Sequence, residues 1–433
     1  MMALWRCLAC MLPFGLWLTA SAAHGQSVLP LRPAIDDASG EAAEPEAAPR
    51  RQQVADNPYE PVGIGSGGLR LYPSLTIGGV TTSNVGRSAS KAEADTGLNL
   101  RPVLRVESDW VRHSLTANAS GDFDFYTGRN DLNSRDINMS QQLRLDIRRG
   151  TTGDIESSYV LSQSGLEDSN VPATAIGYQT EHTLQSAGAV THDFGPVETR
   201  VRAGAILRLF EDVKLQGGGT QSNADRDYVE PSLALRLTYS DPPIVKPYVE
   251  MAYAPRIHHL TQDRNGLHRD SDGYTGSLGL RLDSGPIWTG DLALTYLHRN
   301  YEDPVLASNS ALGLAGNLTW SPSEITRIVA SFGTALSETT SATSSGSRSW
   351  TAGINATHDI RDNITVSAGM GLELEKSNGG SDVITYDANI GLAWKLNPAL
   401  AWTAAYDFSW LDAEGKTRDY TEHRVTAGVT LSR

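Results

Sequence analysis

From residue 69 to the C-terminus, apolar residues take every second position over long runs, with a turn signal between one run and the next. A period of two places alternate side chains on opposite faces of an extended strand. Between 113 and 125, Leu115, Ala117, Ala119, Phe123 and Phe125 fall on one face. Ser114, Thr116, Asn118, Ser120, Asp122 and Asp124 fall on the other. Between 137 and 147, Ile137, Met139, Leu143, Leu145 and Ile147 oppose Asn138, Ser140, Gln142, Arg144 and Asp146. Leu233, Leu235, Leu237 and Tyr239 make another stripe, as do Ile364, Val366, Met370, Leu372 and Leu374, and Val425, Val429 and Leu431 near the end. The count is about eighteen runs, with sixteen as the alternative. Their connections alternate in length. One set is tight, such as Asp193-Phe194-Gly195-Pro196, Ser284-Gly285-Pro286 and Arg361-Asp362-Asn363. The other is long and polar, as around 84–94, 165–179, 212–226, 262–272 and 337–348.

Runs of about 12–15 residues exceed the ~5–6 typical of soluble sheets. The apolar faces carry almost no charge, and no helical layer is available to cover them. Lipid can cover them, and in lipid an extended chain persists only as a closed barrel, since an open edge strands backbone N–H and C=O groups. The pattern therefore predicts an all-β protein: a single transmembrane antiparallel up-and-down β-barrel, with short turns facing the periplasm and long loops facing outside. Aromatic residues cluster at both ends of the runs. Tyr239, Trp288, Trp320, Trp394 and Trp402 sit beside short turns. Phe125, Tyr274, Trp350, Trp410 and Tyr420 sit beside long loops. Two such belts are the girdles expected at the two membrane interfaces.

The N-terminus changes the picture of where this barrel goes. Arg6, the apolar run Cys7–Ala20 and the small residues after it read as a secretory signal over residues 1–25, in preference to a membrane anchor or a lipobox at Cys10. Both cysteines, Cys7 and Cys10, would leave with it. Residues 26–68, rich in Ala, Glu and Pro, read as a flexible periplasmic segment, and 69–433 as the barrel. Gly63, Gly65 and Gly68 match a dinucleotide-binding spacing, but that motif requires a strand before it and a helix after it. Here an Ala/Glu/Pro run precedes it and strand pattern follows.

Composition then fits a barrel more than a set of soluble domains. Hydrophobic residues are 39%, Gly numbers 41, mean hydropathy is -0.30 and the net charge is -14 over 433 residues. The acidic balance argues against nucleic acid as a partner. The polar row should line the lumen: Arg101, Arg105, Asp122 and Asp124 early in the chain, then Arg144 and Asp146, Arg200 and Arg202, Arg236, Glu250 and Arg256, and finally Glu373, Glu375 and Asp387. At eighteen strands the lumen should hold water, so these charges are expected to stay hydrated or to pair at small cost. Both signs are present, so no ion selectivity follows. The histidines are scattered, and neither an H-E-x-x-H nor a G-x-S-x-G sequence occurs. No catalytic, metal or cofactor site is expected. The expected partners are outer-membrane lipids and a second copy of the chain in a homo-oligomer.

Asn57-Pro58-Tyr59-Glu60-Pro61-Val62-Gly63-Ile64, then Leu71-Tyr72-Pro73-Ser74-Leu75, then Ser83-Asn84-Val85, resembles the opening of the outer-membrane β-barrel porins of the second type, a family of alphaproteobacteria. The resemblance covers residues 57–433. It implies an eighteen-stranded porin of the outer membrane that serves surface-polysaccharide export and works with a periplasmic export protein. It supplies no catalytic residues. General diffusion of small polar solutes and a barrel-type lipid-modifying enzyme are the alternatives to a polymer conduit. The chain departs from barrels in general by ending Leu431-Ser432-Arg433 rather than on an aromatic residue.

Overall fold

The computed structural model describes residues 57–433 apart from 343, 379, 380, 416 and 417. The expected signal (1–25) and most of the expected flexible segment (26–56) lie outside the described residues. The alternating runs form the strands β1 Leu69–Thr82, β2 Asp95–Ser108, β3 His113–Tyr126, β4 Ser134–Arg148, β5 Thr151–Ser164 and β6 Gln179–Asp193. They continue with β7 Val197–Phe210, β8 Tyr228–Tyr239, β9 Val245–Tyr253, β10 Ser271–Asp283, β11 Trp288–Tyr301 and β12 Asn309–Ser323. The last are β13 Thr326–Ser337, β14 Ser347–Arg361, β15 Ile364–Ser377, β16 Val383–Asn397, β17 Leu400–Ala413 and β18 Tyr420–Ser432.

Each strand pairs antiparallel with the next, and β1 returns to β18 from Ser74↔Ser432 to Thr82↔Arg424. The result is a closed barrel of 18 strands. The continuous sheet has 20 segments because two short pieces join it. Ile64–Ser66 folds back on the start of β1, and Ile257–His258 continues the line of β9 against β8. Residues 64–66 are therefore a strand, where the composition suggested the end of a flexible segment.

Closure brings backbones very close. A Cβ built on Gly78 would strike the Ala427 carbonyl and the Gly428 Cα, so a residue without a side chain is needed at this contact. The short turns and both barrel termini share one end. The long loops share the other.

The apolar row faces outward along the wall. Leu235, Met251, Leu278, Leu294, Leu312 and Ile390 are all well exposed on that side. The described residues show no central apolar core. Their buried apolar clusters instead lie near the long-loop end: Val80, Val85, Tyr126 and Leu132 with Tyr178; Val383, Leu411, Ala413 and Tyr420; and Val171, Ala175 and Val213. Tyr420 departs from its expected place in the outer belt. It is buried on the inner side as the partner of Leu411, with the Arg87 guanidinium 5.7 Å from its ring. Its number has the inward parity of Glu422 and Arg424, and that parity decides its face.

Candidate functional site: the lumen wall and the outer mouth

Alternation fixes which side chains meet inside the barrel, and register fixes their neighbours. On the first wall, Arg101 meets Asp122 at 3.0 Å. Asn99 donates to Asp122 and Asp124, and Arg424 joins Asp124 at 2.7 Å and Asp407 at 3.6 Å. Arg105 lies over the Tyr72 ring at 4.3 Å. On β4, Arg144 sits 3.7 Å from Asp146. Across β5 and β7, Arg200 approaches Asp154 (3.5 Å) and Arg202 approaches Glu156 (3.0 Å). Arg236 bonds Glu250 at 2.5 Å and Asp291 at 3.3 Å, while Arg281 bonds Glu198 at 3.0 Å. Near the outer end, Arg256 and Arg299 share Glu230 at 2.8 and 2.9 Å.

The groups on β7–β11 are packed rather than hydrated. Arg200, Arg202, Arg236, Arg256 and Glu230 are all under 9% exposed. On β7–β11 the lumen charges take the paired of the two expected courses, and their burial makes each pair costlier to break than expected. In a desolvated cluster, removing one partner leaves an uncompensated charge, which costs about 3–5 kcal/mol. The adjoining wall differs. Inward positions of β12–β16 include Gly313, Ser331, Thr351, Ser367 and Thr385, all small or hydroxylated. Glu373, Glu375 and Asp387 project among them. Asp387 accepts from the Ser409 hydroxyl, and among the described residues none of the three forms an ion pair.

Arg424, Arg299, Asp291 and Asp154 were not singled out from sequence, although each has inward parity and the pattern could have found it. Glu338 could not be found in this way, because it lies beyond the end of β13. It binds Arg256 at 2.7 Å and His258 at 3.1 Å. Burial opposes its charge, but Arg256 and His258 together hold the carboxyl well below the usual carboxylate range.

Glu338 opens a set of loops that meet over the outer mouth. The Thr340 amide donates to Asn170 Oδ1 at 2.9 Å, joining the β13–β14 loop to the β5–β6 loop on the far side of the ring. Arg269 donates to the Ser341 and Ser344 carbonyls. Arg87 binds Glu422 (2.9 Å) and Glu167 (3.5 Å), and Arg418 donates to the Glu167 carbonyl. The Tyr178 hydroxyl donates to the Val85 carbonyl at 3.2 Å. Burial resists the charge on Arg87, yet Glu422 and its neighbours keep its pKa raised well above the ordinary value.

The short-turn end has a latch of its own. Asn57 Nδ2 donates to the Asp362 carbonyl at 3.0 Å, Asn57 Oδ1 accepts from the Tyr59 amide, and Glu60 pairs with Lys395. The Asn57-to-Ile64 sequence thus ties the start of the described chain to the rim below β14–β16.

On the lipid face, Trp288 stacks on Trp320 with centroids 5.4 Å apart. Trp394 and Trp402 are cross-strand partners, as are Tyr386 and Trp410. The Trp350 indole N–H donates to the Leu312 carbonyl. Five outward histidines bond a neighbouring hydroxyl: His182 to Tyr159, His192 to Thr151, His298 to Ser310, His358 to Thr326 and His423 to Tyr406. Of these five, only His182 also meets a carboxylate, Glu211 at 3.1 Å. Its hydroxyl partner there is a phenol, so the set lacks the serine–histidine–acid order of a hydrolase. Among the described residues no cluster of His, Cys, Asp or Glu could hold a metal ion.

A closed barrel with this inner face matches a family model over residues 57–433, the family described as "Putative beta-barrel porin 2". The chain belongs to that family. As a porin-like barrel it is suggested to be a non-enzymatic channel, and its fold fits an outer-membrane protein. No curated protein matches it. Among solved structures, the porin is similar to the outer membrane protein OpdK from Pseudomonas aeruginosa, with 11% identity, TM-score 0.39, and 84% of this chain and 99% of that one covered. It is also similar to the FrpB iron transporter from Neisseria meningitidis, with 10% identity, TM-score 0.43, and coverage of 81% and 64%. The ferric citrate transporter FecA matches with 11% identity and TM-score 0.37, and this chain spans 79% of its own length and 60% of FecA's. Similarity of that order carries no argument about cargo.

Proposed function

We propose that the barrel is an outer-membrane conduit for an exported polysaccharide of the exopolysaccharide or capsular type. One observation carries the reading. The lumen has a wall of small and hydroxylated residues on β12–β16, with Glu373, Glu375 and Asp387 among them, beside a wall on β7–β11 whose charges are bound to one another. Paired charges select weakly for ions, and a hydroxyl- and amide-lined path offers hydrogen bonds to a polyhydroxylated chain. The latch at Asn57 and Glu60 supports a second part of the reading. The preceding chain would leave from the short-turn rim, where a periplasmic export protein could engage it.

The test is a deletion strain assayed for secreted or capsular polymer. Loss of surface polymer with its accumulation in the periplasm is expected. Unchanged secretion refutes the cargo. General diffusion of small polar solutes is the competing outcome, and sugar-dependent block of conductance in planar bilayers, saturable by a monosaccharide, would favour it.

A further inference from the structure

The wall is not a single layer all the way round. β12 and β13 pair only from Gly316↔Phe332 down to Ser323↔Thr326. Above that, β12 stays paired with β11 up to Arg299↔Asn309, and β13 with β14 up to Ser337↔Ser347. No register joins 309–315 to 333–337. Among the described residues no other neighbouring pair loses so much of its outer half.

The two edges overlap rather than gape. Gly313 is the partner of Thr295, in the inward row of β12. A Cβ placed on it would strike the Thr334 hydroxyl and come within 2.7 Å of the Trp350 ring. Thr334 and Trp350 are partners in the outward row of β13 and β14. The outward face of β13–β14 therefore lies against the inward face of β12. Asn309 agrees: it is fully buried, accepts from Arg348 Nε at 2.8 Å and donates to the Ser347 carbonyl. The lap begins at Gly316, whose φ of 141° suits glycine.

Side chains stand in for the missing ladder. Thr334 Oγ1 donates to the Leu314 carbonyl and Trp350 Nε1 to the Leu312 carbonyl, each at 2.9 Å. In hydrocarbon an unpaired edge is costly, and two side-chain bonds that swing on rotamers are a far looser closure than a ladder. Leu312 and Leu314 face lipid on one side of the lap. On the other side lie Ser345, Ser347 and Ser349, whose hydroxyls are buried without a hydrogen-bond partner. The loop that crosses the mouth to Asn170 is the direct continuation of β13, so the β13–β14 edge of the lap is tied to the segment that covers the exit.

We propose that this lapped seam is a lateral portal between the lumen and the outer leaflet for a glycolipid-type amphiphile. Its hydroxylated head would meet the serines while its acyl chain lies along Leu312 and Leu314. The proposal depends on the barrel lying in the membrane, not on polymer export, and its test reads neither secretion nor conductance.

The experiment uses the full chain in phosphatidylethanolamine vesicles that contain a glycolipid with a diazirine on its sugar head. Photolabel is expected on inward residues of 331–335 and 347–353. Gly313→Cys with Thr334→Cys should form a disulfide in the folded barrel, since a side chain at 313 would lie directly against the one at 334. Oxidation should reduce inner labelling to background, and reduction should restore it. Labelling around Phe125, on the lipid face across the ring, should not change. Trp350→Phe, which keeps an aromatic ring and removes the N–H, should raise inner labelling several-fold. Failure of the pair to oxidise in a heat-modifiable barrel overturns the lap. Inner labelling that persists in the locked barrel overturns the portal. Equal inner labelling by a phosphatidylethanolamine bearing the same diazirine overturns the glycolipid class.

Discussion

Replacing Leu235 by arginine tests which face of the wall meets lipid. Leu235 lies near the middle of β8, 45% exposed, with Val201 and Met251 as cross-strand partners. An arginine on the lipid face near the bilayer midplane costs about 2–4 kcal/mol, which is roughly two orders of magnitude in the folding equilibrium. The control is Thr385→Arg, at an inward position whose partner is Glu373. There the new guanidinium faces the lumen beside an unpaired carboxylate and should change stability by less than about 1 kcal/mol. Arg236→Leu is not a mild control. Its loss leaves Glu250 and Asp291 short of a cation in a crowded cluster, at about 3–5 kcal/mol. The assay is urea unfolding in vesicles, followed by the gel-mobility difference between heated and unheated samples. If Leu235→Arg is tolerated and Thr385→Arg is not, every strand is on the wrong face and the account fails.

Four further outcomes follow from the same geometry. Gly78→Val should prevent or severely slow barrel closure, because its side chain meets the Ala427 backbone; normal heat-modifiable mobility would contradict this. A double-mutant cycle on Trp288 and Trp320 should give a coupling of about 0.5–1.5 kcal/mol from ring stacking, read by the same unfolding assay. Arg87→Ala should free the β5–β6 loop from β18, raising both protease cleavage at 165–178 and single-channel conductance. Because the Glu338 carboxyl is depressed, its contribution is complete above the unfolded value of about 4.3 and is lost only as pH falls well below it. His258 gains charge from pH 7 to pH 5, so protease protection of 338–346 should be at least as strong at pH 5 as at pH 7, and a sharp loss at pH 5 would refute the Arg256–Glu338–His258 bridge.

The strands and the order of short and long connections were legible because period-two alternation is a local property, and lipid imposes it on every strand. Lumen parity was legible for the same reason, and it would also have included Arg424 and Asp291. How tightly those side chains pack was not legible. Whether Arg236 is hydrated or wedged against Tyr248, with its guanidinium 4.3 Å from that ring, depends on what stands across the register. Tyr420 stands beside a loop, as the outer aromatic belt does, but its parity with Glu422 turns it inward against Leu411. The lapped seam left no trace in the pattern. Leu312, Leu314, Phe332 and Leu336 alternate as faithfully as any paired strands, since a strand lying behind its neighbour keeps the same period. The resemblance at 57–64 found its physical content only in the contacts to Asp362 and Lys395.

The central claim is that this barrel is a channel whose mouth is covered by bridged loops. Single-channel recording of the refolded protein in planar bilayers tests it most directly, with the wild type compared with a variant lacking 339–345. Small conductance steps in the wild type and markedly larger ones in the variant are the expected result. A heat-modifiable, fully folded barrel that conducts no ions even without that loop would contradict the account.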